Sequence, residues 1–309
     1  MFKRILRYSL FGLLGLLLLT ALVIGVRYAQ AAAAVSAFDK LAPPPLTGMG
    51  VTEKLTILPL YENAVANDAL AGGNGVAYLV QTDTATLLID TGYNPDSASP
   101  SPLEQNMAHL GVDLAGIDVI ALSHHHPDHV GSIAWWQQGT FSLGNEQVDL
   151  GERRVLAPTA LTYPGSAVEV AAAPQVLAPG VASLGTLPFV DVFPLWLLRP
   201  AMTEQVLAIN VADVGVILIT GCGHPGLERI VSHAEAVLGQ PVAGIVGGLH
   251  YGLEDSPKLH EGIALLGERS MRLVAISPHD TGPAGLAAFA AAFPLTYRPV
   301  IVGEPITVR

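Results

Sequence analysis

Val119-Ile120-Ala121-Leu122-Ser123-His124-His125-His126-Pro127-Asp128-His129 is the stretch on which the fold turns. Its first four residues form a short apolar strand, and the polar run begins where that strand ends. Strand side chains alternate, so His124 and His126 project to one side and His125 to the other. Pro127 then turns the chain and returns Asp128 and His129 to the same cavity. Four potential ligands converge within six residues, and Gly131-Ser132-Ile133 opens a helix directly after them. A chance polar loop would need neither the strand before it nor the helix behind it. Imidazole and carboxylate suit zinc, iron and manganese alike, so the spacing leaves the metal open.

Working outward, short runs of Val, Ile and Leu alternate with helical stretches, the pattern of an α/β protein. Tyr78 to Gln81 with Thr86 to Asp90, and Gln205 to Asn210 with Val216 to Thr220, read as two hairpins. Helices are expected at Gly226 to Leu238, Lys258 to Glu268 and Ala284 to Phe293, with strands at Val242 to Val246 and Leu273 to Ile276. Leu156 to Pro200 is rich in proline and reads as loops and short edge strands. Three further histidines stand just past strand ends: Gly221-Cys222-Gly223-His224, Gly247-Gly248-Leu249-His250 and His279-Asp280-Thr281-Gly282. His109, His233 and His260 fall in helical stretches and read as solvated surface residues, and Cys222 as a small buried residue.

His124, His126, Asp128 and His129 match residue by residue the HxHxDH signature of the metallo-β-lactamase superfamily, which residues 51–309 resemble. Leu88-Ile89-Asp90-Thr91-Gly92 is similar to the family's early Asp-Thr-Gly motif, whose aspartate orients ligands from behind. The resemblance implies a four-layer αββα sandwich with two divalent metal ions, zinc ahead of manganese or iron, at one edge of the sheets. The glycine loops around His224, His250 and His279 resemble the branch that includes the dihydropterin-ribofuranosylaminobenzene phosphate synthases. Gly223, Leu249 and Asp280 depart from that branch's usual serine, phenylalanine and cysteine. No histidine lies between His129 and His224, so the family's usual third ligand and bridging aspartate have no obvious counterpart. His224 is the natural substitute. The expected assignment is His124, His126 and His224 to one metal and Asp128, His129 and His279 to a second. Asp90 stands behind them, and Asp128 and His250 carry catalytic duties.

The N-terminus is of another kind. Between Arg7 and Arg27 lie 19 residues without a charge, nearly enough helix for a bilayer core. Lys3, Arg4 and Arg7 precede the run, so the rest of the chain is expected across the cytoplasmic membrane, facing the periplasm or exterior. Ala29-Gln30-Ala31 also fits a signal-peptidase site, which would release the domain. Residues 1–31 therefore read as anchor or signal, 32–50 as an Ala/Pro/Gly tether and 51–309 as the working domain. The net charge of −11 argues against a nucleic-acid groove, and a single cysteine excludes an intrachain disulfide or a four-cysteine zinc site.

These residues lead to the expectation of a hydrolase that uses metal-activated water on a small ester, lactone, amide or phosphoester. Rival readings are a transferase similar to the synthases, a single-iron oxygenase acting on thiols, and a non-catalytic metal-binding domain. Gly185-Thr186-Leu187-Pro188-Phe189 places Phe189 where the synthases tend to carry an arginine. Together with Val190 to Leu198 it suggests an apolar substrate pocket.

Overall fold

The computed structural model describes residues 2–191, 202–252 and 255–309. The chain divides into two compact units, Met1–Leu41 with Pro188–Met202, and Ala42–Leu187 with Thr203–Arg309. The first is built around helix α1 (Phe2–Phe38). From Arg7 onward this helix carries a window of mean hydropathy 2.5, none of it buried, and is long and apolar enough to cross a membrane or serve as a signal. It runs through Ala31 to Ala34 into the segment read as tether. Alanine is the residue least costly to hold in a helix, so an extended link starts only after Phe38. Val192 to Leu198, expected to wall a pocket, lie outside the described residues.

The second unit is organised by two sheets. One has the order β13-β1-β2-β3-β4-β5-β6, formed by β1 (Leu55–Tyr61), β2 (Ala77–Thr82), β3 (Thr86–Ile89), β4 (Val119–Ala121), β5 (Arg154–Ala157), β6 (Val168–Val170) and β13 (Ile306–Val308). The other has the order β12-β11-β10-β9-β8-β7, formed by β7 (Pro174–Ala178), β8 (Val181–Phe189), β9 (Met202–Val211), β10 (Gly215–Thr220), β11 (Val242–Gly247) and β12 (Leu273–Ile276). Leu55, Ile57, Tyr78 and Leu87 of the first sheet share one core with Leu207, Ile209, Ile217 and Val246 of the second. On the other face of the first sheet, Leu60, Leu79, Leu88 and Ile120 pack with Leu103 and Met107 of α2 (Pro102–Leu110). A short helix, α3 (Ile133–Gln137), follows the histidine run. On the outside of the second sheet, α4 (Leu227–Leu238) lies against β11 and α6 (Pro283–Ala292) against β12, with α5 (Pro257–Gly267) between them in sequence. The layers are helix, sheet, sheet, helix, as the sequence led one to expect.

Both hairpins form, β2 with β3 and β9 with β10. Leu156 to Asp191, the described part of the stretch read as loops and short edge strands, is more regular than its prolines suggest. Val181 to Gly185 are buried without a break, and β8 lies inside the sheet between β7 and β9. Pro188 is tolerated because it comes at the end of that strand.

Strand direction places the site. β3, β4 and β5 are parallel neighbours, as are β10, β11 and β12. Parallel strands deliver the loops after their carboxyl ends to one edge. Asp90, the run from Ser123 to His129, and the loops bearing His224, His250 and His279 all follow such strand ends.

Candidate metal centre

A single buried carboxylate organises the first group. Asp90, fully buried at φ +58°, accepts at Oδ1 from the Ser123 backbone N–H (2.6 Å). At Oδ2 it accepts from the Ser123 hydroxyl (2.6 Å) and from His129 Nδ1 (2.7 Å). The hydroxyl's only proton is thereby committed to Asp90, so Ser123 Oγ accepts from His124 Nδ1 at 2.9 Å. His124 Nε2 is left with its lone pair, 3.0 Å from His126 Nδ1. One carboxylate thus sets the tautomers of two histidines, directly for His129 and through a serine for His124.

The rings of His124, His126 and His224 meet edge to face, with centroids 4.6, 4.8 and 4.9 Å apart. Burial, and then the neighbouring imidazoles, hold His124 and His224 well below the usual histidine pKa. They are neutral, with lone pairs to give. His125, on the other side of the strand, is buried too, at 1% exposure.

His224 is held by Glu204, an acid buried in β9. Its Oε1 accepts from the backbone N–H of Gly221 (3.2 Å) and Gly223 (2.9 Å), and its Oε2 from that of His224 (2.8 Å). Burial raises its pKa to about 7 against the pull of those donors. Gly223 sits at φ +65°, and a Cβ there would run into the Gly248 carbonyl oxygen. This close approach of two loops explains a glycine where the synthases carry serine.

The second group is looser. His129 and His279 have ring centroids 5.4 Å apart, and Asp128 Oδ2 lies 3.4 Å from His279 Nε2. Burial alone would depress His129, but Asp90 beside it lifts its pKa to about 9. His129 therefore holds a proton on Nε2 that a cation would have to displace. Burial and then His129 lower His279 to about 4. The Gly75 N–H donates to His279 Nδ1 at 2.9 Å, so the neutral ring carries its proton on Nε2, facing Asp128. Ligation through Nε2 requires that proton to leave and the Gly75 contact to loosen. Glu62, buried after β1, accepts from Tyr78 Oη (2.6 Å), Asn63 N (3.0 Å) and Ser277 Oγ, which steadies the entry to His279. Its pKa is raised by burial to about 7.

His250 packs on His224, centroids 4.4 Å apart, and is the more open of the two, its side chain 40% exposed. Its backbone is in the left-handed region at φ +51°, a conformation a non-glycine residue adopts at a cost. Asp280 compensates by accepting from the Leu249 and His250 N–H groups at 3.4 and 2.9 Å. Burial raises Asp280 to about 8.

Cys222 is at the centre. Its Sγ lies 3.1 Å from His129 Nε2. Ligand atoms fall within 4.8 Å of one another in His124–Cys222–His224, His129–Cys222–His279 and Cys222–His250–Asp280. Burial holds its thiol well above the usual pKa, a condition that a bound cation reverses. Neutral buried imidazoles, a thiol and carboxylates form a donor set that fits a divalent transition metal. The expected ligands His124, His126, Asp128, His129, His224 and His279 are thus brought to one cluster, with Asp90 behind them. Cys222, Glu204, Glu62 and Asp280 were not anticipated in these positions. Their signal was an acid, or the single cysteine, within or next to an apolar strand. His109 and His260 are exposed as expected, but His233 is partly buried and its Nε2 bonds to the Leu184 carbonyl at 2.9 Å.

Residues 70–141, which hold Asp90 and the whole histidine run, match the family described as the Metallo-beta-lactamase superfamily. Over this segment the chain is similar to the metallo-beta-lactamase superfamily. It is 23% identical over 278 residues, 77% of this chain and 91% of the relative, to the 7,8-dihydropterin-6-methyl-4-(beta-D-ribofuranosyl)-aminobenzene-5'-phosphate synthase of Methanocaldococcus jannaschii. Among solved structures, Tm1679, described as a metal-dependent hydrolase of the beta-lactamase superfamily, covers 82% of this chain and 99% of its own, with a TM-score of 0.57 and 17% identity. The metallo-beta-lactamase fold protein YhfI of Bacillus subtilis covers 83% and 100%, with a TM-score of 0.50 and 13% identity. At such identities the likeness is one of fold. Members of that superfamily bind divalent metals, and the groups gathered here could hold one.

Proposed function

We propose that the chain is a metal-dependent hydrolase acting on an ester, lactone, amide or phosphoester. The observation that carries this reading is the mutual packing of His124, His126 and His224, with Cys222 and His129 against them. His124, His126 and His224 would hold one ion and Asp128, His129 and His279 a second, with Cys222 as a shared donor. When bound, such ions supply Lewis acidity and bring the pKa of water from ~15.7 toward ~7. Asp128 is held below the usual carboxylate range by His129 and His279, although burial opposes them. It stays ionised at neutral pH and accepts from the attacking water. His250, the more open ring, donates to the leaving group.

A transferase is the second reading, favoured by the extended likeness to the archaeal synthase. Phe189, expected beside a substrate, is buried. In the same proposal α1 anchors the chain in the cytoplasmic membrane with the domain outside, or is cleaved as a signal. The partner is a small molecule, not nucleic acid.

The test is turnover of the metal-reconstituted full-length chain on a panel of small esters, lactones and phosphoesters, with His126→Ala as control. Hydrolysis that disappears in the variant supports the reading. Bound metal without turnover would favour a binding domain, and condensation of a pterin with an aminobenzene phosphate would favour the transferase. Fractionation with N-terminal sequencing decides the fate of α1.

A further inference from the structure

At the end of the second sheet opposite the metal centre, a cleft of about 340 Å³ is lined by Arg272, Arg298, Arg309, Asp213 and Thr307, among others. β10 and β12 start at this cleft and end at the loops of His224 and His279. A six-residue strand spans about 20 Å, so the cleft is a separate place. The chain is acidic, with a net charge of −11 and 15 lysines and arginines in all. Two other arginines find acids, Arg154 with Glu169 and Arg269 with Glu235, while Arg153 donates to the Leu114 and Leu150 carbonyls. Among the described residues no Asp or Glu side chain pairs with Arg272, Arg298 or Arg309, and Asp213 is the one acidic side chain in the lining.

Two of these arginines are anchored through their backbones to adjoining strands. The Arg272 N–H donates to the Ala243 carbonyl at 2.6 Å and the Arg298 N–H to that of Val274 at 2.9 Å. The Arg298 guanidinium is also positioned, since Nη1 donates to the Tyr297 and Leu295 carbonyls at 2.7 and 3.2 Å. Guanidinium groups gathered in one cleft repel one another unless an anion lies between them. Their planar forks match an oxyanion with several acceptor oxygens better than a halide. Thr307 adds a hydroxyl.

We infer that this cleft is a binding site for a phosphate group, carried either by a small soluble molecule or by a phospholipid headgroup. The site is independent of the metal centre.

The experiment titrates inorganic phosphate into the full-length chain in phosphatidylcholine nanodiscs, by calorimetry, at low chloride. Saturable binding is expected. It should weaken roughly tenfold or more in the Arg272→Gln/Arg298→Gln double variant and persist in His126→Ala. Arg309→Gln alone should give a smaller loss in the same direction, which keeps the test sharp if the double variant is poorly folded. Binding that is unchanged in both arginine variants, or is abolished by His126→Ala instead, would overturn the inference, as would no saturation up to tens of millimolar phosphate. Repeating the titration in phosphatidylglycerol nanodiscs separates the sources. Competition with free phosphate that depends on the arginines identifies a lipid headgroup, and unaltered phosphate affinity identifies a soluble ligand.

Discussion

On the N-terminal flank of the metal centre, His124, His126, Asp128 and His129 come from one turn of chain, and Asp90 alone sets two of their tautomers. On the C-terminal flank, His224, His250 and His279 arrive on three strands, and the buried acids Glu204, Asp280 and Glu62 hold those loops. Covalent proximity supplies the geometry on the first flank. On the second it is supplied by acids whose pKa values burial raises to about 7, 8 and 7. Burying a charge costs stability; the first flank carries that cost at one acid, Asp90, and the second at three.

The largest expected effect is common to both flanks. His126→Ala and His224→Ala should each lower metal affinity and turnover by more than about a hundredfold, since losing a ligand exceeds the ~10–100-fold typical of a supporting residue. Elemental analysis beside a kinetic assay checks this. If only His126→Ala had the effect, His224 would not be a ligand and the C-terminal flank would be scaffold.

Asp90→Asn should come next, at about 10–100-fold in metal affinity. It keeps the shape but places an amide where two donors converge. Because the residue acts on both His124 and His129, uptake of every ion should weaken. A change confined to thermal stability would show that Asp90 packs and does not orient.

Glu204→Gln should reach the C-terminal flank alone. An amide cannot accept at both of its ends, so part of the clamp on Gly221, Gly223 and His224 is lost. The expected cost is about 1–3 kcal/mol by chemical denaturation, with a weaker fall in metal affinity than for Asp90. An equal loss at both flanks would break the distinction between them.

The smallest effect is one of pH. Burial pushes the Asp280 carboxyl up to about 8 from the ordinary aspartate value of 3.8. Its contribution to the stability of the metal-free chain is therefore fully present below pH 3.8 and is lost as pH rises through 8. Asp280→Asn does not titrate. The stability difference between variant and wild type should shift in the variant's favour from pH 5 to pH 8, measured by denaturation of chelated protein. A difference that does not change with pH would show that burial does not perturb this group.

Legibility follows the same division. Val119 to His129 declared itself because ligands, strand and turn are contiguous, and the hairpins because apolar runs flank obvious turns. Glu204 could not be read as a clamp, since its donors at Gly221 and Gly223 lie in another strand's loop and only the antiparallel pairing of β9 with β10 brings them together. Cys222 read as a small buried residue, which it is, and its position among three ligand groups comes from packing. β8 was hidden because proline marks breaks in a sequence without saying whether a strand has already ended.

The most direct measurement is the metal content of the full-length chain after metal-replete purification and removal of loose ions, with cobalt substituted to report the ligands. The geometry predicts two ions per chain, a cobalt–thiolate absorption that vanishes in Cys222→Ser, and loss of metal in His126→Ala. Less than one ion per chain in the wild type would contradict the reading of these loops as a metal centre.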